Sequence, residues 1–143
     1  MIIRGVVFLL CFALALACSQ HDTKTRQYLA RGEALYLAHC SNCHQQDGSG
    51  LGLVYPPVNT SDYIDKNFES VICLMRNGVK GTMTVNGQLY NQPMPGMPQL
   101  TELELAQVAT FLYNKWGRKR GIVETAEARQ ALSRCDSLTA NAH

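Results

Sequence analysis

The sequence predicts an all-α fold, one helical domain behind an N-terminal export segment. Apolar residues recur at helical spacing in three separate stretches, within 24–39, 68–77 and 100–117. A length of 143 residues suits a single domain. Hydrophobic residues make up 46% and charged residues 17%, which supports a packed core and excludes a disordered chain. Thirteen basic against 11 acidic residues give a formal net charge of +2. That balance excludes a nucleic-acid binder working through charge alone.

The segment 1–17 reads as an export signal. Arg4 is its only charge, and Val6 to Ala17 is an apolar run too short to span a bilayer comfortably and suited to a signal peptide. Ala15-Leu16-Ala17 is an A-x-A cleavage pattern, and Cys18 directly after it resembles the cysteine of a bacterial lipobox. On that reading Cys18 is lipidated, residues 18–25 are a tether, and the protein is a periplasm-facing lipoprotein of the bacterial envelope held to the membrane by its N-terminal lipid. The alternative is a soluble secreted form with a free N-terminal thiol. Of six cysteines, Cys11 leaves with the signal, and the others meet an oxidising compartment.

Lys24 to His39 sets Leu29, Gly32, Leu35 and Tyr36 on one face. Glycine in a helix interior costs about 1 kcal/mol against alanine, and a close crossing by another helix would explain Gly32. Next comes Cys40-Ser41-Asn42-Cys43-His44, a C-x-x-C-H, the attachment signal for c-type haem. Two thiols three residues apart on a helical turn can each add to one haem vinyl group, and the following histidine is then aimed at the iron. The rivals are a redox pair, which wants a βαβ setting, and half a zinc site, which wants a second pair at knuckle spacing. Cys73 and Cys135 are single and distant.

Phe68, Val71, Ile72 and Met75 predict a helix over 68–77, with Gly78 as its stop. Thr82 to Val85, followed by Asn86-Gly87, predicts a hairpin. Thr101 and Glu104 form a capping-box pattern opening the next helix. Its apolar face is Leu105, Val108, Ala109, Phe111, Leu112 and Trp116. Glu124 to Cys135 adds a helical tail with small apolar positions at Ala126, Ala128, Ala131 and Leu132.

Taken in order, these residues resemble a class I cytochrome c of the bacterial monohaem type. Gly32-x-x-x-Tyr36 leads into the C-x-x-C-H, and Asp47-Gly48-Ser49-Gly50 is similar to the glycine-rich turn after it. Tyr55-Pro56-Pro57-Val58, Thr82 to Tyr90, Asn91-Gln92-Pro93-Met94-Pro95 and Leu100 to Gly117 are similar to later elements of that family. The resemblance covers about 26–117. It implies N- and C-terminal helices crossing around one covalently bound haem c, with 118–143 an extension packed on the domain. It implies thioether links at Cys40 and Cys43, His44 on the iron, and a carbonyl of Pro56 accepting from His44.

The family usually sets a methionine opposite the histidine, a soft ligand that favours reduced iron. Met1 leaves with the signal, Met75 reads as core and Met83 as part of the hairpin. Met94 lies between Pro93 and Pro95, which lower the entropy of a ligand loop, and it falls on the family's M-P. Met97 is the runner-up. His21, His39 and His143 are weaker candidates. Some related cytochromes carry cysteines at the places of Cys73 and Cys135. The pair either staples the tail onto the 68–77 helix or remains two buried thiols.

Lys115, Arg118, Lys119 and Arg120 cluster at a helix end and read as a solvated complement to the helix dipole, with docking of an acidic partner as a second role. The function implied is a monomeric one-electron carrier between envelope redox proteins, not an enzyme. Two readings stand beside it: a haem sensor or small peroxidase with a labile sixth ligand, and a thiol oxidoreductase using Cys40 and Cys43.

Overall fold

The architecture is set by one helix crossing. Helix α1, residues 23–39, buries Gly32, Leu35 and Tyr36. In the computed structural model, which describes residues 23–135, α1 meets α5 (Glu102–Leu112) at Gly32. A Cβ on Gly32 would overlap the carbonyl of Gln107 and lie 2.9 Å from the Cβ of Phe111. The backbone of Gln107 is thus the surface that Gly32 admits. The export segment, Cys18 and most of its tether, His21 and His143 lie outside the described residues. No helix among the described residues is long and apolar enough to cross a membrane.

Between these helices the chain makes α2 (Ser41–His44), α3 (Asp62–Lys66) and α4 (Phe68–Asn77). Ser61 caps α3, its hydroxyl accepting from the N–H of Ile64 at 3.2 Å. Helix α4 ends at Gly78, whose φ of 78° an L side chain rarely adopts. The strands are short. β1 (Gly78–Val79) pairs antiparallel with β4 (Met94–Pro95), and β2 (Met83–Val85) pairs with β3 (Gln88–Tyr90). Asn86 and Gly87 both have positive φ, 53° and 76°, the geometry a two-residue hairpin needs. Asp62 holds that turn, its carboxylate accepting from the N–H of Asn86 at 2.7 Å.

Helix α5 opens with the Thr101–Glu104 capping box and ends at Leu112, short of the expected Gly117. Trp116 and Gly117 take positive φ of 54° and 89°, so the backbone turns out of the helix there. Trp116 therefore reaches Tyr36 and Phe111 from a turn, edge-on, with ring centroids 5.7 and 5.5 Å away. The chain then returns along the domain. Asn114 clasps Gly121 through its carbonyl and its N–H, each at 2.8 Å. The N–H of Val123 donates to the buried hydroxyl of Thr110 at 3.0 Å.

Helix α6 (Thr125–Leu132) packs on α4 and α5 through buried Ala128 and Ala131. Ala126 faces solvent instead, since it sits two residues from Ala128 on a helix of 3.6 residues per turn. A disulfide joins Cys73 in α4 to Cys135 just beyond α6.

Two outcomes test this frame. Gly32→Ala should destabilise the protein by about 1–3 kcal/mol, because the backbone of α5 must move. Changing both Cys73 and Cys135 to Ser should cost about 4 kcal/mol by the chain-entropy model, for cysteines 62 residues apart. Denaturant unfolding of each variant reads both values.

Candidate functional site

The site begins at the end of α1. Cys40 leads into the single turn of α2, where the N–H groups of Cys43 and His44 donate to the carbonyl of Cys40 at 3.2 and 2.9 Å. That turn brings the two thiols to one side of the chain, and neither is in a disulfide. Gln45 follows with a positive φ of 63°, strained for a non-glycine residue. The hydroxyl of Tyr36 donates to the carbonyl of Gln45 at 2.7 Å and holds the bend. Tyr36 thus ties the helix crossing to the C-x-x-C-H turn.

His44 Nδ1 lies 2.9 Å from the carbonyl oxygen of Pro56. A carbonyl only accepts, so Nδ1 carries the proton and Nε2 keeps its lone pair. Burial holds the imidazole below its ordinary range, and the Pro56 carbonyl only partly offsets this. The ring is therefore neutral at pH 7, the state a metal ligand requires. Pro56 comes this close because Gly50 packs against it: a Cβ on Gly50 would lie 2.8 Å from the Pro56 oxygen. Burial pushes the Cys40 thiol up to about 12, the opposite of what activates a redox thiol.

Beside His44 lies an apolar cleft, and an outer part continues it. His44, Pro56, Met83 and Met94 line both parts. Val71, Leu74, Met75 and Leu112 wall the inner part beside Cys40, and Cys43 lines the outer one. Met83 is thus a wall of the cleft as well as a hairpin residue. Met97 lines neither part: it is 7% exposed and packs into the core. His39 is exposed and also lines neither. An apolar slot with an imidazole, three thioethers and two free thiols on its walls fits a flat apolar macrocycle that takes an imidazole and a thioether on its metal and is attached covalently.

The Met94 loop is braced in a way the prolines did not announce. Val79 pairs with Met94 and Gly78 with Pro95, so β1 at the end of α4 grips β4. The N–H of Met97 donates to the carbonyl of Met75 at 2.9 Å, and the guanidinium of Arg76 donates to the carbonyl of Pro98 at 2.8 Å. Gly96 permits the approach, since a Cβ there would lie 2.6 Å from the carbonyl oxygen of Arg76. The glycines at 78 and 96 were the available signal.

The basic cluster is a solvated face at Lys115, Lys119 and Arg120, which are exposed, but not at Arg118, and that corrects the sequence-based expectation for this residue. No basic residue lies in the last turn of α5. Arg118 is only 13% exposed and pairs with Asp65. It also donates to the carbonyls of Val58, Asn59 and Ser61 at 3.0, 3.2 and 3.3 Å. Arg120 pairs with Glu127 at 2.8 Å and stacks 3.7 Å from the ring centroid of Phe68. Lys115 pairs with Glu33. These cations fasten the α5 turn to the rest of the domain.

Comparison with known proteins agrees with this geometry. The sequence profile of the cytochrome c family matches residues 29–116. Cytochrome c-552 of Thermus thermophilus is 33% identical over 92 residues, 62% of this chain and 70% of that protein. A second cytochrome c-552 of Thermus thermophilus shows the same 33% identity over 62% of its length. The cytochrome c subunit of an alcohol dehydrogenase (quinone) of Gluconacetobacter polyoxogenes is 26% identical over 75% of this chain but only 25% of its own length.

Arg118→Ala should destabilise the protein by about 1–3 kcal/mol, because it leaves three part-buried carbonyls without their donor. Lys119→Ala should stay within about 0.5 kcal/mol of the parent. Thermal unfolding of the two variants side by side measures the contrast.

Proposed function

Because the chain belongs to the cytochrome c family and carries haem c, we propose that it is a monohaem one-electron carrier in which Cys40 and Cys43 hold the haem and His44 and Met94 bind its iron. One observation supports Met94 over Met97: His44 and Met94 both line the two parts of a single apolar cleft, and Met97 lines neither. Met83 lines both parts as well, but it sits in the β2–β3 hairpin, whereas Met94 sits on the proline-framed loop that β1 grips.

Haem c, when bound, supplies an iron that takes up and returns one electron. The chain's own residues supply everything else. Cys40 and Cys43 would hold the haem covalently through their thiols, so a small domain would keep a cofactor it cannot fully enclose. Pro56 fixes the tautomer and orientation of His44. Met94 offers a thioether, which favours the reduced metal. Val71, Leu74, Met75 and Leu112 keep water from the inner cleft, which limits the reorganisation that a change of charge requires. His44 and Met94 would both be engaged in holding the iron and would leave it closed to substrate, which is the arrangement of a carrier rather than a catalyst.

Cys18 anchors the carrier to the envelope membrane by its lipid, and its electron partners are other envelope redox proteins. The dehydrogenase subunit among its relatives supports a place beside an oxidoreductase.

Two measurements test the reading. Acid–acetone extraction should leave the haem on the protein, and loss of all haem to the solvent defeats attachment at Cys40 and Cys43. Met94→Ala should turn the ferric iron high-spin, abolish the near-infrared Met–iron band and lower the reduction potential. Met97→Ala should keep the band, at a packing cost of about 2–5 kcal/mol. The reverse pattern assigns the ligand to Met97, and a high-spin spectrum in the parent protein favours a sensor or small peroxidase.

A further inference from the structure

The core does not explain one group of apolar side chains. Leu51, Leu53 and Val54 are 52%, 72% and 46% exposed. Exposed leucines scattered over a surface are ordinary, but neighbouring ones mark a surface meant to be covered. All three sit on a tight turn closed by the bridge between Leu51 and Tyr55. The N–H of Leu51 donates to the carbonyl of Tyr55 at 2.9 Å, and the N–H of Val54 to the carbonyl of Leu51 at 3.0 Å. Tyr55, at the base of the turn, lines the outer cleft with Cys43. The exposed residues Gly81, Gln92 and Pro93 line that outer cleft too, so it is the mouth of the site.

Charge is missing from this mouth. Among the described residues no aspartate, glutamate, lysine or arginine lines it. Lys80 adjoins it in the chain, between Val79 and Gly81. Lys115, Arg118 and Arg120 are engaged with Glu33, Asp65 and Glu127. We propose that the 51–55 turn and the cleft mouth form one docking face, and that it takes an apolar, uncharged face of a protein redox partner. The proposal rests on the carrier reading above, since a partner must approach the mouth to exchange an electron with a cofactor held behind it. A charged partner face would be desolvated against Leu53 and Val54 with no counter-charge to meet it. An apolar face is matched there and gains by burial. Encounters on such a face do not depend on electrostatic steering, so ionic strength has little effect on them.

Direct voltammetry of the holoprotein tests this on gold electrodes coated with methyl-terminated or carboxylate-terminated alkanethiols. Electron transfer should be faster on the methyl surface and unchanged between low and high salt. Leu53→Glu, at an exposed position that tolerates a polar side chain, should slow it there by about tenfold, the factor for roughly 1.4 kcal/mol. Lys80→Ala should leave the rate as it is. Faster transfer on the carboxylate surface, falling with salt, would overturn the proposal in favour of docking by charge. Parent-like rates in both Leu53→Glu and Val54→Ser would also overturn it. Flotation with phosphatidylcholine vesicles should carry parent and Leu53→Glu equally, and a loss confined to the variant would give the turn to lipid instead. A redox titration with soluble mediators keeps the two readings apart: a haem that titrates normally while docking fails sinks only this inference.

Discussion

Everything at the site hangs from the contact between Gly32 and the backbone of Gln107. Because no side chain separates α1 from α5 there, Tyr36 is brought one turn later against Phe111, with ring centroids 5.3 Å apart. From that packed position its hydroxyl reaches the carbonyl of Gln45. The bend after His44 is thus tied to the helix crossing by one side chain. A bulkier residue at position 32 would shift the helix that carries the C-x-x-C-H turn.

The two sides of the cleft are built differently. The His44 side is local: the turn of α2, the strained Gln45 and the Pro56 loop lie within a short span of chain. The Met94 side is assembled from distant segments. The end of α4 grips it through β1, the carbonyl of Met75 and the guanidinium of Arg76. Helix α4 is in turn fixed by α6 and the Cys73–Cys135 disulfide. The C-terminal extension therefore belongs to the frame of the site even though none of its described residues line the cleft.

How much of this was legible depended on whether a feature is local. Helix α4 could be bounded from Phe68 to Gly78 because periodicity and a glycine stop act within the segment. The hairpin could be read because Asn86-Gly87 fits one turn type. The end of α5 could not, since Trp116 takes a left-handed backbone that its residue type does not favour. Arg118, within the basic run, was misread for a similar reason. A stretch of cations looks like a solvated face, but the partners of Arg118 are backbone carbonyls about sixty residues earlier, which no pattern of spacing reveals. The two-residue pairing of β1 with β4 is too short to leave an alternation signal. At the site, the C-x-x-C-H and the proline-framed Met94 were visible as motifs, whereas Met83 as a cleft wall was not.

The grip on the Met94 loop is slight in one respect. It consists of a two-residue ladder and two further hydrogen bonds to the end of α4, with Pro93, Pro95 and Pro98 removing backbone donors along the loop. The opposite side is tied into the helix crossing through Tyr36. The molecule is therefore built from parts of unequal stability. On warming, the methionine loop should release as a separate cooperative unit while the helices stay folded, and amide exchange along 78–79 and 94–97 should become fast before that of α1 and α5.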